Sequence, residues 1–208
     1  MNCMRNLEGS NCDGHEYSKK MGKELIKSLI YLSKKSEIYF PKWFSKQIDC
    51  ENYFFWKKII EDNNLIINYI EPFNILLTYP FNLENENLLN FYLSIKKSNN
   101  NKILIGPDRL FGAKDSLKIS HHIKIPLINA YNSFDNIYKD VENFIENDLI
   151  ILMCVGMMSP ILSKNLLQLN LKLTILDFGS GLDPIFYGNT RHGQSSTTEV
   201  KNYFKKIL

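Results

Sequence analysis

Short unbroken apolar runs alternate with amphipathic stretches along most of this sequence, and few folds can accommodate that alternation. Residues 73–79, 102–106, 124–129, 149–155 and 171–178 read as strands without a polar face. Between and after them, 86–97, 134–146, 160–168 and 197–207 read as helices, with Leu88, Leu89, Tyr92 and Leu93 inward in the first and Ile137, Val141, Phe144 and Ile145 inward in the second. A strand that is apolar on both sides has none to give to water, so both faces must be covered. Parallel strands under helices meet that requirement. The predicted class is three-layer α/β with a mostly parallel sheet flanked by helices.

The first third follows a looser pattern. Residues 18–33 carry Leu25, Ile26, Leu29, Ile30 and Leu32 among lysines and predict an amphipathic helix. A short strand at 38–40 is ended by Pro41, and 51–61 predicts a second helix with Tyr53, Phe54 and Trp56 on an aromatic side. No repeat or Gly/Ser/Pro-rich linker interrupts the chain, and the Asn tracts at 63–64 and 99–101 read as turns. With 208 residues, 44% of them hydrophobic, the expectation is one domain over 1–208, with 1–17 an acidic active-site segment.

Charge and cysteine usage exclude several classes. Lys plus Arg number 25 against 22 Asp plus Glu, a formal charge of +3, which gives nucleic-acid binding no support. Cys3, Cys12, Cys50 and Cys154 form neither a disulfide framework nor a zinc ribbon, as expected of a reduced intracellular protein. No run reaches the roughly 20 apolar residues of a membrane span. A cytoplasmic location is expected, with attachment to the inner face of a membrane and oligomerisation left open.

In a parallel sheet the ligand-binding groups gather in loops beyond the carboxyl ends of the strands. Four such loops stand out. Gly156, followed by Ser159 and Pro160, fits either a diphosphate resting on a helix N-terminus or an ordinary strand-helix joint. Asp177, Gly179, Gly181 and Asp183, with Arg191 and His192 beyond, fit a phosphate or sugar site or a salt-bridged surface loop. Asn129, Tyr131, Asn132 and Asp135 can read hydroxyls or a base, or simply cap a helix. Arg109, after Gly106-Pro107-Asp108, can hold a phosphate or sit in a plain turn.

Two further groups carry weaker signals. Arg5, Glu8, Asp13 and Glu16 precede the first helix, where paired carboxylates can hold a divalent ion or remain solvated charge. His121 and His122, between Lys118 and Lys124, read as a surface turn. A Walker loop, a full dinucleotide fingerprint, a His-Glu-x-x-His helix and a Gly-x-Ser-x-Gly elbow are all missing from the sequence.

The order of these segments resembles the GT-D type glycosyltransferases of bacterial surface-glycan and adhesin glycosylation. It is carried by the strand into Gly106-Pro107-Asp108-Arg109-Leu110, then His122 to Pro126, Asn129 to Asp135, the strand into Gly156, and Leu176-Asp177-Phe178-Gly179-Ser180 with Asp183. It covers most of the chain and is strongest over 74–192. The resemblance implies a Rossmann-like domain, a nucleotide-sugar donor that usually leaves uridine diphosphate, a glycan or glycoprotein acceptor, and Mn²⁺ or Mg²⁺ near an Asp-x-Glu motif. The nearest match to that motif is Arg5-Asn6-Leu7-Glu8-Gly9-Ser10, with Glu8 at the first acid and Ser10 at the second. It further implies Glu8 and Asp13 as metal ligands, Arg5, Arg109, Asn129, Asn132, Gly156, Asp177, Gly179 and Arg191 around the donor, and Asp183 or His192 as base.

Three other readings stay open at the level of sequence. One is a noncatalytic nucleotide-sugar or carbohydrate-binding protein that has lost the full acidic motif. Another is a sugar-phosphate or nucleotide-processing enzyme using Arg109 and the Gly156 loop. The third is a scaffold associating through Trp43, Phe44, Phe55 and Trp56.

Overall fold

The computed structural model describes residues 5–6, 8–10, 14–35, 38–41, 50–70, 83–84, 86–190 and 195–208. Asp13, Trp43, Phe44, Arg191, His192 and the strand expected at 73–79 lie outside the described residues. The chain groups into two compact units, 1–74 with 160–166, and 75–159 with 167–208.

The first unit opens with a hairpin in which β1 (Gly9–Ser10) pairs antiparallel with β2 (Glu16–Tyr17). Helix α1 (Lys19–Leu32) starts where the Ser18 hydroxyl accepts a hydrogen bond from the Met21 N–H at 3.1 Å, satisfying one of the free donors of the first turn. Its buried positions, Met21, Gly22, Leu25, Ser28 and Leu32, form one stripe. Strands β3 (Tyr39–Pro41) and β4 (Asn68–Ile70) pair in parallel on either side of α2 (Cys50–Asp62) in the chain. Trp56, Ile59 and Leu65 form the small core, with Ile26, Leu29 and Ile30 of α1 against it. Asn64, in the left-handed region at φ +50°, turns the chain out of α2, as the Asn tract predicted.

The second unit holds the parallel sheet. Its strands are β5 (Lys102–Pro107), β6 (His121–Ile125), β7 (Ile150–Met153) and β8 (Thr174–Asp177), in the order β6-β5-β7-β8. Around it run α3 (Glu86–Lys97), α4 (Ala113–Ser116), α5 (Phe134–Glu142), α7 (Asp183–Phe186) and α8 (Thr197–Tyr203), while α6 (Ser159–Leu167) is grouped from Pro160 to Leu166 with the first unit. Alternation sends Leu104 and Leu152 to one face of the sheet, where Leu88, Leu89, Tyr92 and Ile95 of α3 and Val200 and Phe204 near the C-terminus cover them. Ile103, Ile105, Ile151 and Met153 point the other way and are equally buried. With both faces covered, the fold is Rossmann-like three-layer α/β, as the apolar runs required.

Several element limits differ from the sequence reading, among them the strand expected at 149–155, which spans Ile150–Met153, and the helix expected at 197–207, which ends at Tyr203. The strand expected at 124–129 is β6, His121–Ile125: it stops before Pro126 and the chain turns at Asn129, which is left-handed at φ +57°. His121 and His122 are therefore ladder residues and not a surface turn. Side-chain contacts explain this: the His121 ring stacks on Phe144 at 4.0 Å, and His122 Nε2 lies 3.0 Å from the Gly106 carbonyl oxygen. The helix expected over 134–146 ends at Glu142, and the strand expected over 171–178 spans Thr174–Asp177.

Candidate active site

Because the four strands run the same way, the loops after Pro107, Ile125, Met153 and Asp177 all open on one edge of the sheet. From β5 the chain moves to β6 on one side, whereas from β7 it moves to β8 on the other. The loops after β5 and β7 therefore diverge and leave a crevice, the general position of ligands in open parallel sheets.

Two glycines shape that crevice for different reasons. Gly156 begins a 3-10 turn (Gly156–Met158) at φ +60°, where a side chain costs about 1–2 kcal/mol. Gly106 is a matter of space: a Cβ there would stand 3.2 Å from Cys154 Cβ and 3.2 Å from Leu110 Cδ1. Glycine thus lets the β5 end lie close against the residue that follows β7.

Arg109, in the 3-10 turn Asp108–Leu110, is held by a carboxylate and an aromatic ring. Its Nε donates to Asp183 Oδ1 at 3.0 Å and its Nη2 to Oδ2 at 2.7 Å, a two-pronged ion pair. The Thr190 hydroxyl also donates to Oδ2 at 3.0 Å, and the Tyr187 ring lies 5.0 Å from the guanidinium carbon. Asp183 is 3% exposed and Arg109 25% exposed. Among the described residues the Arg109 Nη1 has no partner. That edge of the guanidinium is the one left for an external anion.

Asp177 is the complementary case. Water reaches it, yet protein surrounds it closely enough for burial to push its carboxyl up, against the pull of the Ser159 hydroxyl and the Gly179 N–H. The Gly179 N–H donates to Oδ1 at 3.0 Å, with Gly179 itself at φ +52°. Cys154 ties the two halves together: burial first, then Asp177 and Asp183, push its thiol well up, while Arg109 and a backbone bond at Leu182 oppose them. One thiol feels all three charges, so the ion pair and Asp177 share one end of the sheet. The loop after β6 adds Asn132, which is exposed, in a 3-10 turn (Ala130–Ser133) packed beside Gly156–Met158.

Solved structures share this arrangement of strands and helices. A glycosyltransferase (DUF1792) from Streptococcus sanguinis aligns over 100% of this chain and 83% of its own, with a TM-score of 0.61 at 14% identity. The fold of this chain is similar to that of this structure. A second DUF1792 structure, described as a distinct glycosyltransferase fold, matches over 86% of this chain and 69% of its own, with a TM-score of 0.56 at 18% identity. A selenomethionine-substituted DUF1792 domain matches over 100% and 80%, with a TM-score of 0.58 at 16% identity. No family model and no curated protein sequence matches the chain. At such identities the agreement is one of backbone path.

On this fold the residues singled out from the sequence fall into three sets. Arg109, Asn129, Asn132, Gly156, Asp177, Gly179 and Asp183 lie at the carboxyl edge of the second unit's sheet. Arg5 and Glu8 belong to the first unit, where the Arg5 Nε donates to Asn6 Oδ1 at 3.0 Å, Glu8 is exposed, and the hairpin register sets Glu16 directly across from Ser10. Asp13, Arg191 and His192 are outside the described residues. Asp183, expected as a base, has both oxygens engaged by Arg109 and Thr190. Ser159, Thr190 and Tyr187 were missed. Ser159 follows Gly156 in the strand-helix joint, and Tyr187 follows Asp183 by one helical turn, a spacing visible in the sequence. Tyr92, whose hydroxyl reaches the Gly181 carbonyl at 3.3 Å, holds the glycine loop against α3 and carried no signal beyond core periodicity.

Proposed function

We propose that this protein is a glycosyltransferase of the GT-D type that moves a sugar from a nucleotide-diphosphate donor, expected to be a uridine diphosphate sugar, to a hydroxyl of a glycan or protein-linked sugar. The observation that carries the reading is the gathering of a left-handed glycine turn, a clamped arginine and an exposed carboxylate at the carboxyl edge of the sheet where β5 and β7 diverge. The backbone of Gly156 and the Nη1 edge of Arg109 face the diphosphate, whose negative charge grows as the bond to the anomeric carbon breaks. Asp183 is a positioning residue that fixes the guanidinium fork. The acceptor oxygen bonds to the anomeric carbon and the diphosphate leaves with the electron pair. Asp177 takes the acceptor proton, a role its raised carboxyl suits; His192 is the second candidate base. Asn129 and Asn132 supply polar contacts to the donor.

For a divalent ion the donor set is oxygen only, Glu8 with Glu16 across the hairpin and Asp13 nearby in sequence, and Mg²⁺ and Mn²⁺ accept such ligands alongside substrate phosphates. Among the described residues no group of three metal-binding side chains occurs. The Ser10 at the second acid position favours a binding module without turnover, and Glu16 opposite it supports the enzyme. Release of uridine diphosphate from a panel of sugar donors, with Mn²⁺ or chelator, separates the two. Turnover that falls about a hundredfold in Asp177→Asn and in Arg109→Ala supports the transferase. Donor binding with no turnover under any metal or acceptor would overturn it in favour of the binding module.

A further inference from the structure

Helix α1 carries a second functional surface, independent of the crevice. Between residues 19 and 35 there are six lysines against Glu24 alone, a surplus of five, so the remainder of the chain is net acidic by two. The chain's positive surplus is thus concentrated on α1 and the three residues beyond its end. Lys19, Lys20, Lys23 and Lys27 are all exposed, as is Lys34 just beyond the helix end. At about 100° per residue the four helical lysines fall within an arc of about 100°. That arc lies opposite the stripe of Met21, Leu25, Ser28 and Leu32 that α1 buries. Lys19 and Lys27 are about 12 Å apart along the axis by helical rise. A straight helix with its apolar side anchored therefore offers a row of ammonium groups to a flat surface.

We infer that this lysine face docks on the anionic headgroups of a lipid bilayer. Charge complementarity supports the membrane, and the type of residue argues against nucleic acid. The face is built from lysines, which are point charges, with none of the arginine forks or exposed aromatics that grip phosphates and bases. A planar bilayer can also meet every ammonium of a straight row at once. Among the described residues no helix is long and apolar enough to cross a membrane, so the contact is peripheral and electrostatic.

Sedimentation of the full chain with vesicles tests this without any sugar donor, so its outcome is separate from that of the transferase assay. Binding is expected to vesicles of phosphatidylcholine containing about a third phosphatidylglycerol and not to phosphatidylcholine alone, with release when salt rises from about 0.1 to about 0.5 M. Each lysine contributes roughly a fivefold factor, so Lys20→Gln, Lys23→Gln and Lys27→Gln together should lower partitioning about a hundredfold. The same three changed to Arg should retain it. The equally exposed Lys139, Lys201 and Lys205 changed to Gln should lose much less. Helix content by circular dichroism should be equal in all variants. Equal binding to neutral vesicles, no sedimentation with either kind, an unchanged Gln variant, or preferential retention of duplex DNA would each overturn the inference.

Discussion

The carboxyl edge sets two aspartates six positions apart in opposite states. Asp183 is buried, doubly bonded to Arg109 and capped by Thr190, whereas Asp177 is wetted and held by a backbone N–H and a serine hydroxyl. The difference has a pH consequence. Because burial raises the Asp177 carboxyl above its unfolded value, its favourable contribution is complete below the ordinary carboxylate range near ~4 and is lost as pH rises through the raised value. Asp177→Asn, whose amide oxygen can still accept from Gly179, should therefore be more stable than the parent at neutral pH. The gain should shrink as pH falls toward ~4. Thermal melts of both proteins across that range check it, and a constant gap at every pH would show that the shift is absent. The predicted base and the stability cost are then the same carboxylate, which is common where an acidic group serves chemistry.

At the scale of elements, the 3-10 turn at Gly156–Met158 is the piece on which donor binding depends most. Its left-handed first residue lets the chain leave β7 sharply and expose backbone to the crevice. Gly156→Ala should cost about 1–2 kcal/mol of stability from backbone strain alone. It should also weaken uridine diphosphate binding in calorimetry, while the half-buried Ser180→Ala serves as a loop control. Unaltered nucleotide affinity in a folded Gly156→Ala chain would move the diphosphate elsewhere. This turn was legible as a glycine after an apolar strand, because local chain geometry writes itself into residue type. The extent of β6 was not legible to the same degree. His121 and His122 look like turn residues on composition, and only the stack on Phe144 and the reach to the Gly106 carbonyl place them in the ladder. Propensity is a weak guide wherever a long-range contact is available to override it.

For the whole chain, two compact units mean two cores of unequal size. The core around Trp56, Ile59 and Leu65 is small, whereas the one around Tyr92, Leu104, Leu152 and Phe204 extends over both sheet and helices. Both tryptophans, Trp43 and Trp56, belong to the sequence of the first unit, and Cys154 is buried in the second. Tryptophan fluorescence should therefore lose its native signal at a lower urea concentration than that at which Cys154 becomes open to a thiol reagent, in a chain with Cys3, Cys12 and Cys50 changed to Ser. Coincident transitions would show a single cooperative unit instead. No linker composition announces this division, since 160–166, grouped with the first unit, lies inside a helix that begins at Ser159 in the second. Hydrophobic periodicity is a local property, and it was enough to read the α/β class and most of the helices. Strand order, and with it the meeting of Arg109 and Asp183 across 74 positions, depends on which distant surfaces exclude water together. Burial is settled only when the chain closes on itself, so that ion pair and the crevice beside it belong to the tertiary structure alone.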